Sequence, residues 1–149
     1  KLVRGAYMEK ENDRAEERGY PTPIQPDKAS SDRDYDAAVK FCFEHVEHIS
    51  FVAGSHNEES CRKLAQMLID ADFPRNDKRI WLSQLYGMSD NLSFVLAKEG
   101  FNVVKYLPFG PVNETLPYLI RRAEENSSAS GQTSRELILI EKELRRRKA

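Results

Sequence analysis

The segment Arg79-Ile80-Trp81-Leu82-Ser83-Gln84-Leu85, followed by Ser89 to Lys98 and then by Phe101-Asn102-Val103-Val104-Lys105-Tyr106-Leu107, decides the fold class. Its first and last pieces are short, β-rich and strand-sized, and the piece between them places Leu92, Val95 and Leu96 on one helical face. A strand, a crossover helix and another strand is the unit of a parallel sheet, because parallel neighbours need a long connection. Outward from it the pattern repeats. Lys1 to Val3 and His48 to Ala53 are further strand-like segments. Asp34 to Val46 collects Tyr35, Ala38, Val39 and Cys42 on one face, and Glu58 to Ala71 collects Cys61, Leu64, Ala65, Leu68 and Ile69. A helix from about Leu116 to Glu125 follows the fourth strand, and Ser134 to Arg146 forms a last one. The order β-α-β-α-β-α-β-α predicts an α/β fold with a parallel sheet, and the loops after the strands argue for a barrel more than an open sheet. A (β/α)8 barrel needs about 250 residues and at least roughly 200, so four units are expected to be half of one.

The 149 residues carry 23 Lys+Arg against 24 Asp+Glu, a formal charge of −1, with 40% hydrophobic and 32% charged side chains. This composition is globular, and its near-neutral balance removes the electrostatic case for a dedicated nucleic-acid binder. The basic end Arg145-Arg146-Arg147-Lys148 reads as a solvated helix terminus. Cys42 and Cys61 have no metal-ligand spacing, which fits a reducing compartment, and no apolar run reaches membrane-spanning length. The opening Lys1-Leu2-Val3 reads as a strand already under way, so targeting information in a longer precursor would not be visible.

Glu9 to Arg33 is the longest segment without a strand or helix pattern, and three prolines between Tyr20 and Pro26 forbid a helix there. It is expected to be an irregular loop facing a ligand. Ligands in parallel α/β folds collect at the carboxyl ends of strands. Those ends read Arg4-Gly5-Ala6-Tyr7, Gly54-Ser55-His56-Asn57, Gln84-Leu85-Tyr86-Gly87-Met88 and Lys105-Tyr106-Leu107-Pro108-Phe109-Gly110. A glycine-bearing turn after a strand is ordinarily only a turn; four that carry polar or aromatic groups suit a flat heteroaromatic ligand.

Thr115 is expected to cap the helix that follows, with Pro117 in its first turn and Leu116, Leu119, Ile120 and Ala123 buried. Arg121 and Arg122 then leave on faces about 100° apart. They could clamp a carboxylate through forked bonds, or form a solvated pair with Glu125 as the i,i+4 partner of Arg121. His45 and His48 lack a third ligand, so no metal centre is expected, and His56 at a strand end is the better functional histidine. The sequence has no Gly-x-Gly-x-x-Gly, no Walker-type lysine and no Gly-x-Ser-x-Gly.

Four blocks taken together resemble the proline dehydrogenase family, also called proline oxidase: Lys-Leu-Val-Arg-Gly-Ala-Tyr (1–7), Gln-Leu-Tyr-Gly-Met (84–88), Tyr-Leu-Pro-Phe-Gly-Pro-Val (106–112) and Tyr-Leu-Ile-Arg-Arg-Ala-Glu-Glu-Asn (118–126). The resemblance spans nearly the whole chain and makes residues 1–149 the carboxyl-terminal half of a distorted (β/α)8 barrel, strands five to eight with their helices. It implies FAD-dependent oxidation of L-proline to Δ1-pyrroline-5-carboxylate by hydride transfer to flavin N5, with electrons passed to a membrane quinone. By the same likeness Arg121 and Arg122 hold the proline carboxylate, while Tyr7, Leu85, Tyr106 and Ala6 wall the pyrrolidine ring. Lys1 matches a basic residue near N5; Val3, Gly5 and Ala6 resemble further FAD contacts, and Lys28 a basic contact from the long loop. Ser55, His56 and Asn57 match a cluster holding the adenosine and phosphate part, and Glu125 an acid near the ribityl chain.

Hydride transfer needs the donor carbon held over its acceptor more than it needs acid-base groups, which agrees with the absence of a catalytic triad. Tyr106 favours proline over 4-hydroxyproline, because relatives acting on the latter tend to carry a smaller residue. Lys1 and Met8 depart from the bifunctional bacterial branch, which has Arg and Trp there, and the end of the chain soon after the last helix favours a monofunctional parent. No aromatic contact follows Asn126. A lysine, an aspartate and a glutamine of the family site would lie upstream of Lys1. The implied location is cytoplasmic and peripheral to the inner membrane in a bacterium, or mitochondrial in a eukaryote. Two other readings are a Schiff-base aldolase-type barrel using Lys105 and a catalytically inert half-barrel fragment.

Overall fold

The computed structural model describes residues 1–5, 7–128 and 132–148. The chain forms two compact units, Lys1–Leu107 and Pro108–Ala149. The first unit runs α1 (Met8–Arg18), α2 (Lys28–Glu44), β1 (Phe51–Gly54), α3 (Glu58–Asp70), β2 (Ile80–Leu85), α4 (Asp90–Lys98) and β3 (Val103–Tyr106), and the second holds α5 (Val112–Ser128) and α6 (Gln132–Lys148). The three strands are parallel and lie in sequence order, with Phe51 opposite Ile80 and Leu82 opposite Val103. The α/β expectation is met. The expected first strand contracts to one parallel bridge, Leu2 with Ala53, closed by the Leu2 amide donating to the Val52 carbonyl at 2.9 Å and the Gly54 amide to the Leu2 carbonyl at 2.8 Å.

The sheet has one face covered by helices. Phe51, Ala53, Ile80 and Leu82 point there and bury against Cys61, Leu64 and Leu68 of α3, Tyr35 and Val39 of α2, and Leu96 of α4. Helix α3 shows why: Cys61, Leu64, Ala65 and Leu68 follow the i, i+3, i+4, i+7 rule, Asn57 accepts the Ser60 amide at 3.0 Å as N-cap, and Glu58 and Glu59 occupy the positive first turn. Ile69 and Val95, expected inward, are exposed. Each lies at the edge of its stripe, where about 100° of rotation per residue carries it off the sheet.

Two sequence expectations are corrected. Residues 9–33 are not one irregular loop: α1 occupies Met8–Arg18, and only the proline stretch before α2 is irregular. The α1 sequence is made of helix formers, with Glu9 and Glu11 in the first turn, Arg18 in the last and Gly19 closing it at φ +69°. It buries only Ala15, so it has no apolar stripe to read. In the second unit α5 begins at Val112, before the expected Thr115 cap, and the Thr115 amide donates to the Pro111 carbonyl at 2.9 Å. Pro117 therefore lies inside the helix, and Leu116, Leu119 and Ile120 are exposed rather than buried. A pair of helices has no second layer to cover such a stripe. The Ala123 side chain lies outside the described residues.

Candidate functional site

Side chains alternate along a strand, so the residues between the core positions share the sheet's opposite face. Val52 and Gly54 of β1, Trp81, Ser83 and Leu85 of β2, and Val104 and Tyr106 of β3 lie there, and the Leu2 bridge sends Lys1 and Val3 to the same side. Leu85 and Tyr106 are direct partners across the ladder. The Lys1 ammonium stands 5.1 Å from the centroid of the Tyr106 ring, a cation-π distance. Gly54 makes room for this approach: a Cβ there would sit 3.1 Å from Lys1 Cε, from Val3 Cγ1 and from the Leu2 carbonyl oxygen. Lys1, Val3, Leu85 and Tyr106, all singled out in the sequence, are thus brought onto one open surface.

The exit from the Leu2 bridge is sharply bent. Gly5 has φ +72° with open space where a side chain would be, and Tyr7 has φ +63°, a left-handed conformation uncommon outside glycine and asparagine. Tyr7 opens α1, its carbonyl accepting the Glu11 amide at 2.9 Å, and its side chain is exposed. Ala6 lies outside the described residues.

Ser55, His56 and Asn57 form the turn between β1 and α3. Ser55 Oγ accepts from Arg4 Nη2 at 2.9 Å and from the Asn57 amide at 3.0 Å. His56 Nδ1 lies 3.0 Å from Ser89 Oγ, and its Nε2 accepts the Leu85 amide at 3.4 Å. Asn57 Oδ1 is committed to capping α3. Lys28 is the first residue of α2, exposed and paired with Asp32. It reaches solvent from a helix rather than from the loop the sequence suggested.

Two residues of the strand-end blocks that were given no individual role, Arg4 and Gln84, organise this end of the sheet. Arg4 pairs with Asp32 at 2.7 Å, donates to Ser55 and Ser60 and stacks 4.6 Å from the Tyr35 ring centroid. Gln84 is 1% exposed; its Nε2 donates to the Ser55 carbonyl at 3.2 Å, and its Oε1 accepts from Ser93 Oγ at 3.0 Å. Its sequence signals were its place in the 84–88 strand-end block and a polar residue at an apolar position of β2. Beneath them burial pushes the Cys61 thiol up to about 12, against the opposing pull of Arg4, and burial likewise raises the Tyr35 phenol.

Lys105 faces the helices. Its ammonium donates to the Met88 carbonyl at 2.6 Å and pairs with Asp90 at 2.7 Å. The Schiff-base reading named Lys105, and this lysine lies on the helix side, paired rather than on the face shared by Lys1 and Tyr106. His45 donates or accepts within its own helix end, at 2.8 Å from the Phe41 carbonyl, and stacks on the Phe41 ring. In the second unit Arg121 is exposed, and Arg122 stands 5.3 Å from the Tyr118 ring centroid, one turn back on α5. The Glu125 side chain lies outside the described residues.

Fold and site together define a parallel α/β protein whose polar and aromatic groups converge on one side and at the carboxyl ends of its strands. The family model described as proline dehydrogenase matches residues 1–135, and the chain belongs to that family. Mitochondrial proline dehydrogenase 1 of Homo sapiens is 41% identical over 150 residues, covering 99% of this chain and 25% of that protein. The Caenorhabditis elegans protein of the same name is 40% identical over 152 residues, with the same 99% and 25% coverage. A hydroxyproline dehydrogenase of Bos taurus is 38% identical over 151 residues, covering 99% and 32%. Among solved structures, proline utilization A from Bdellovibrio bacteriovorus matches with a TM-score of 0.76 at 30% identity, over 85% of this chain and 13% of that one. The chain spans about a quarter to a third of the length of these curated relatives.

Proposed function

We propose that this chain is the carboxyl-terminal half of a (β/α)8 barrel, supplying strands five to eight, in an enzyme that oxidises L-proline to Δ1-pyrroline-5-carboxylate with FAD. The family match over residues 1–135 carries the reading. The donor set of the open face fits the cofactor: a lysine ammonium beside an aromatic ring, over a floor of Gly54 and Ser83 that holds no bulky side chain. When bound, FAD supplies the hydride acceptor.

The chain's own residues then bind and orient. Arg121 and Arg122 hold the proline carboxylate by charge-assisted bonds. Leu85 and Tyr106, adjacent across the ladder, pack against the apolar edge of the pyrrolidine ring with Tyr7 and Ala6. Lys1 keeps a positive charge on the face that receives the cofactor, with Val3, Gly5, Lys28, Ser55, His56, Asn57 and Glu125 as further contacts. The bulk of Tyr106 disfavours a 4-hydroxyl on the substrate ring. Electrons pass to a quinone through peripheral contact with a membrane, mitochondrial in a eukaryote; among the described residues no helix is long and apolar enough to cross one.

Visible spectroscopy of the longer protein carrying this chain tests the reading. A flavin band that bleaches on addition of L-proline is expected, and a colourless or proline-insensitive protein would overturn it. The 149 residues alone are expected to be colourless. Val3, Val104 and Tyr106 are exposed on the open face, and a sheet with unpaired edges and an apolar surface is prone to self-association.

A further inference from the structure

The Arg4 guanidinium lies on the helix side of the sheet, among groups of α2 and α3, and not with Lys1 and Tyr106 on the opposite face. Its neighbours on the chain, Val3 and Gly5, belong to the segment that lines that face. The guanidinium turns the other way, with 17% of its side chain exposed, and joins its own segment to three separate pieces of structure. It pairs with Asp32 of α2 at 2.7 Å, donates to Ser55 after β1 at 2.9 Å and to Ser60 of α3 at 3.1 Å, and lies over the Tyr35 ring. Asp32 in turn holds Lys28, and Ser55 Oγ accepts the Asn57 amide. One planar donor therefore links the Lys1–Gly5 segment, the Ser55-His56-Asn57 turn and Lys28.

These three are the pieces of the first unit assigned above to the cofactor, and they come from positions 1, 28 and 55, far apart in sequence. The guanidinium suits this task because its fork can donate to two hydroxyls and pair with a carboxylate while its face stacks on an aromatic ring; an ammonium has a single point of attachment. We propose that Arg4 is a positioning residue for flavin binding: through Asp32 and Ser55 it sets Lys28 and the 55–57 turn in register with Lys1, without contacting flavin or substrate. The inference rests on the FAD-dependent reading above.

The test uses the longer protein carrying this chain, with FAD affinity of the apoprotein read by quenching of flavin fluorescence and amide hydrogen exchange read over residues 55–60. Arg4→Lys and the isosteric Asp32→Asn are compared with the unaltered protein. Each variant is expected to weaken FAD binding by about tenfold, the scale of one charge-assisted bond, and to speed exchange at the Asn57 amide. At saturating FAD, KM for L-proline is expected to stay within about twofold of the unaltered value, because the carboxylate clamp is separate. Unchanged FAD affinity in both variants, with unaltered protein that is yellow and bleached by proline, overturns the role of Arg4. An equal rise in proline KM at saturating FAD overturns it too. A colourless unaltered protein fails the functional reading itself.

Discussion

The Lys1 ammonium lies 5.1 Å from the centroid of the Tyr106 ring, although the two residues stand at opposite ends of the first unit's sequence and two strands separate their own. Gly54 and Ser83 lie between them on the same face. Substituting Gly54 with alanine places a methyl 3.1 Å from Lys1 Cε, Val3 Cγ1 and the Leu2 carbonyl oxygen. The two side chains can yield; the backbone oxygen cannot. Gly54→Ala is expected to cost about 1–3 kcal/mol, in the range of overpacked sites, seen as a lower denaturation midpoint at unchanged m. An unchanged midpoint would show that the Leu2 bridge shifts freely.

Arg121 and Arg122 are expected to act at substrate binding. In the longer protein, Arg121→Met and Arg122→Met should each raise KM for L-proline by roughly 10- to 100-fold, since a hydrogen bond to a charged group is worth about 1.5–3 kcal/mol. Flavin content should be retained. Loss of flavin with unchanged KM would reassign the pair to the cofactor.

Gln84 sits where β2 presents an apolar residue, and both ends of its amide are bonded. Gln84→Met keeps the volume but leaves the Ser55 carbonyl without its amide donor. Destabilisation of about 1–3 kcal/mol is expected, as for a buried group stripped of its partner. Ser93→Ala should cost less. Reversal of that order in chemical denaturation would contradict the network.

Cys61 and Cys42 should differ in reactivity. Burial holds the Cys61 thiol at about 12, above the ordinary value near ~8.5, and Cys42 is partly exposed. At pH 8, alkylation followed by peptide mapping should label Cys42 well before Cys61. Because the folded value is raised for an acid, the unfolded chain ionises first, so stability falls as pH rises from about 8.5 toward about 12. Cys61→Ala should flatten that decline.

At the acid end, hydrogen bonds from Arg79 hold Asp77 at about 2. Arg79 Nε and Nη2 donate to its two oxygens at 2.9 and 2.8 Å. A depressed carboxyl stabilises the fold above its unfolded value near ~3.9, and that contribution is lost as pH falls toward about 2. Asp77→Asn should remove part of the acid sensitivity of thermal unfolding between those limits. An identical acid profile for the variant would exclude the pair as a contributor.

Periodicity alone determined the parallel α/β class, the stripes of α2 and α3 and the three strands, because each buries one face against the same core and burial writes a period into sequence. Near-neutral composition left no electrostatic case for a dedicated nucleic-acid binder, and four short blocks sufficed to mark the family. Tertiary structure decided what periodicity does not encode. Helix α1 carries charged residues all round and buries one alanine, so its helicity left no stripe, and the exposed Leu116, Leu119 and Ile120 show a stripe can exist without a partner inside the unit. The orientation of a polar side chain depends on which neighbours the fold supplies. Lys105 and Tyr106 are consecutive, and strand alternation sends one to Asp90 among the helices and the other under Lys1 on the open face. Arg4 read as one polar residue beside a glycine until the fold brought Asp32, Ser55 and Ser60 around it.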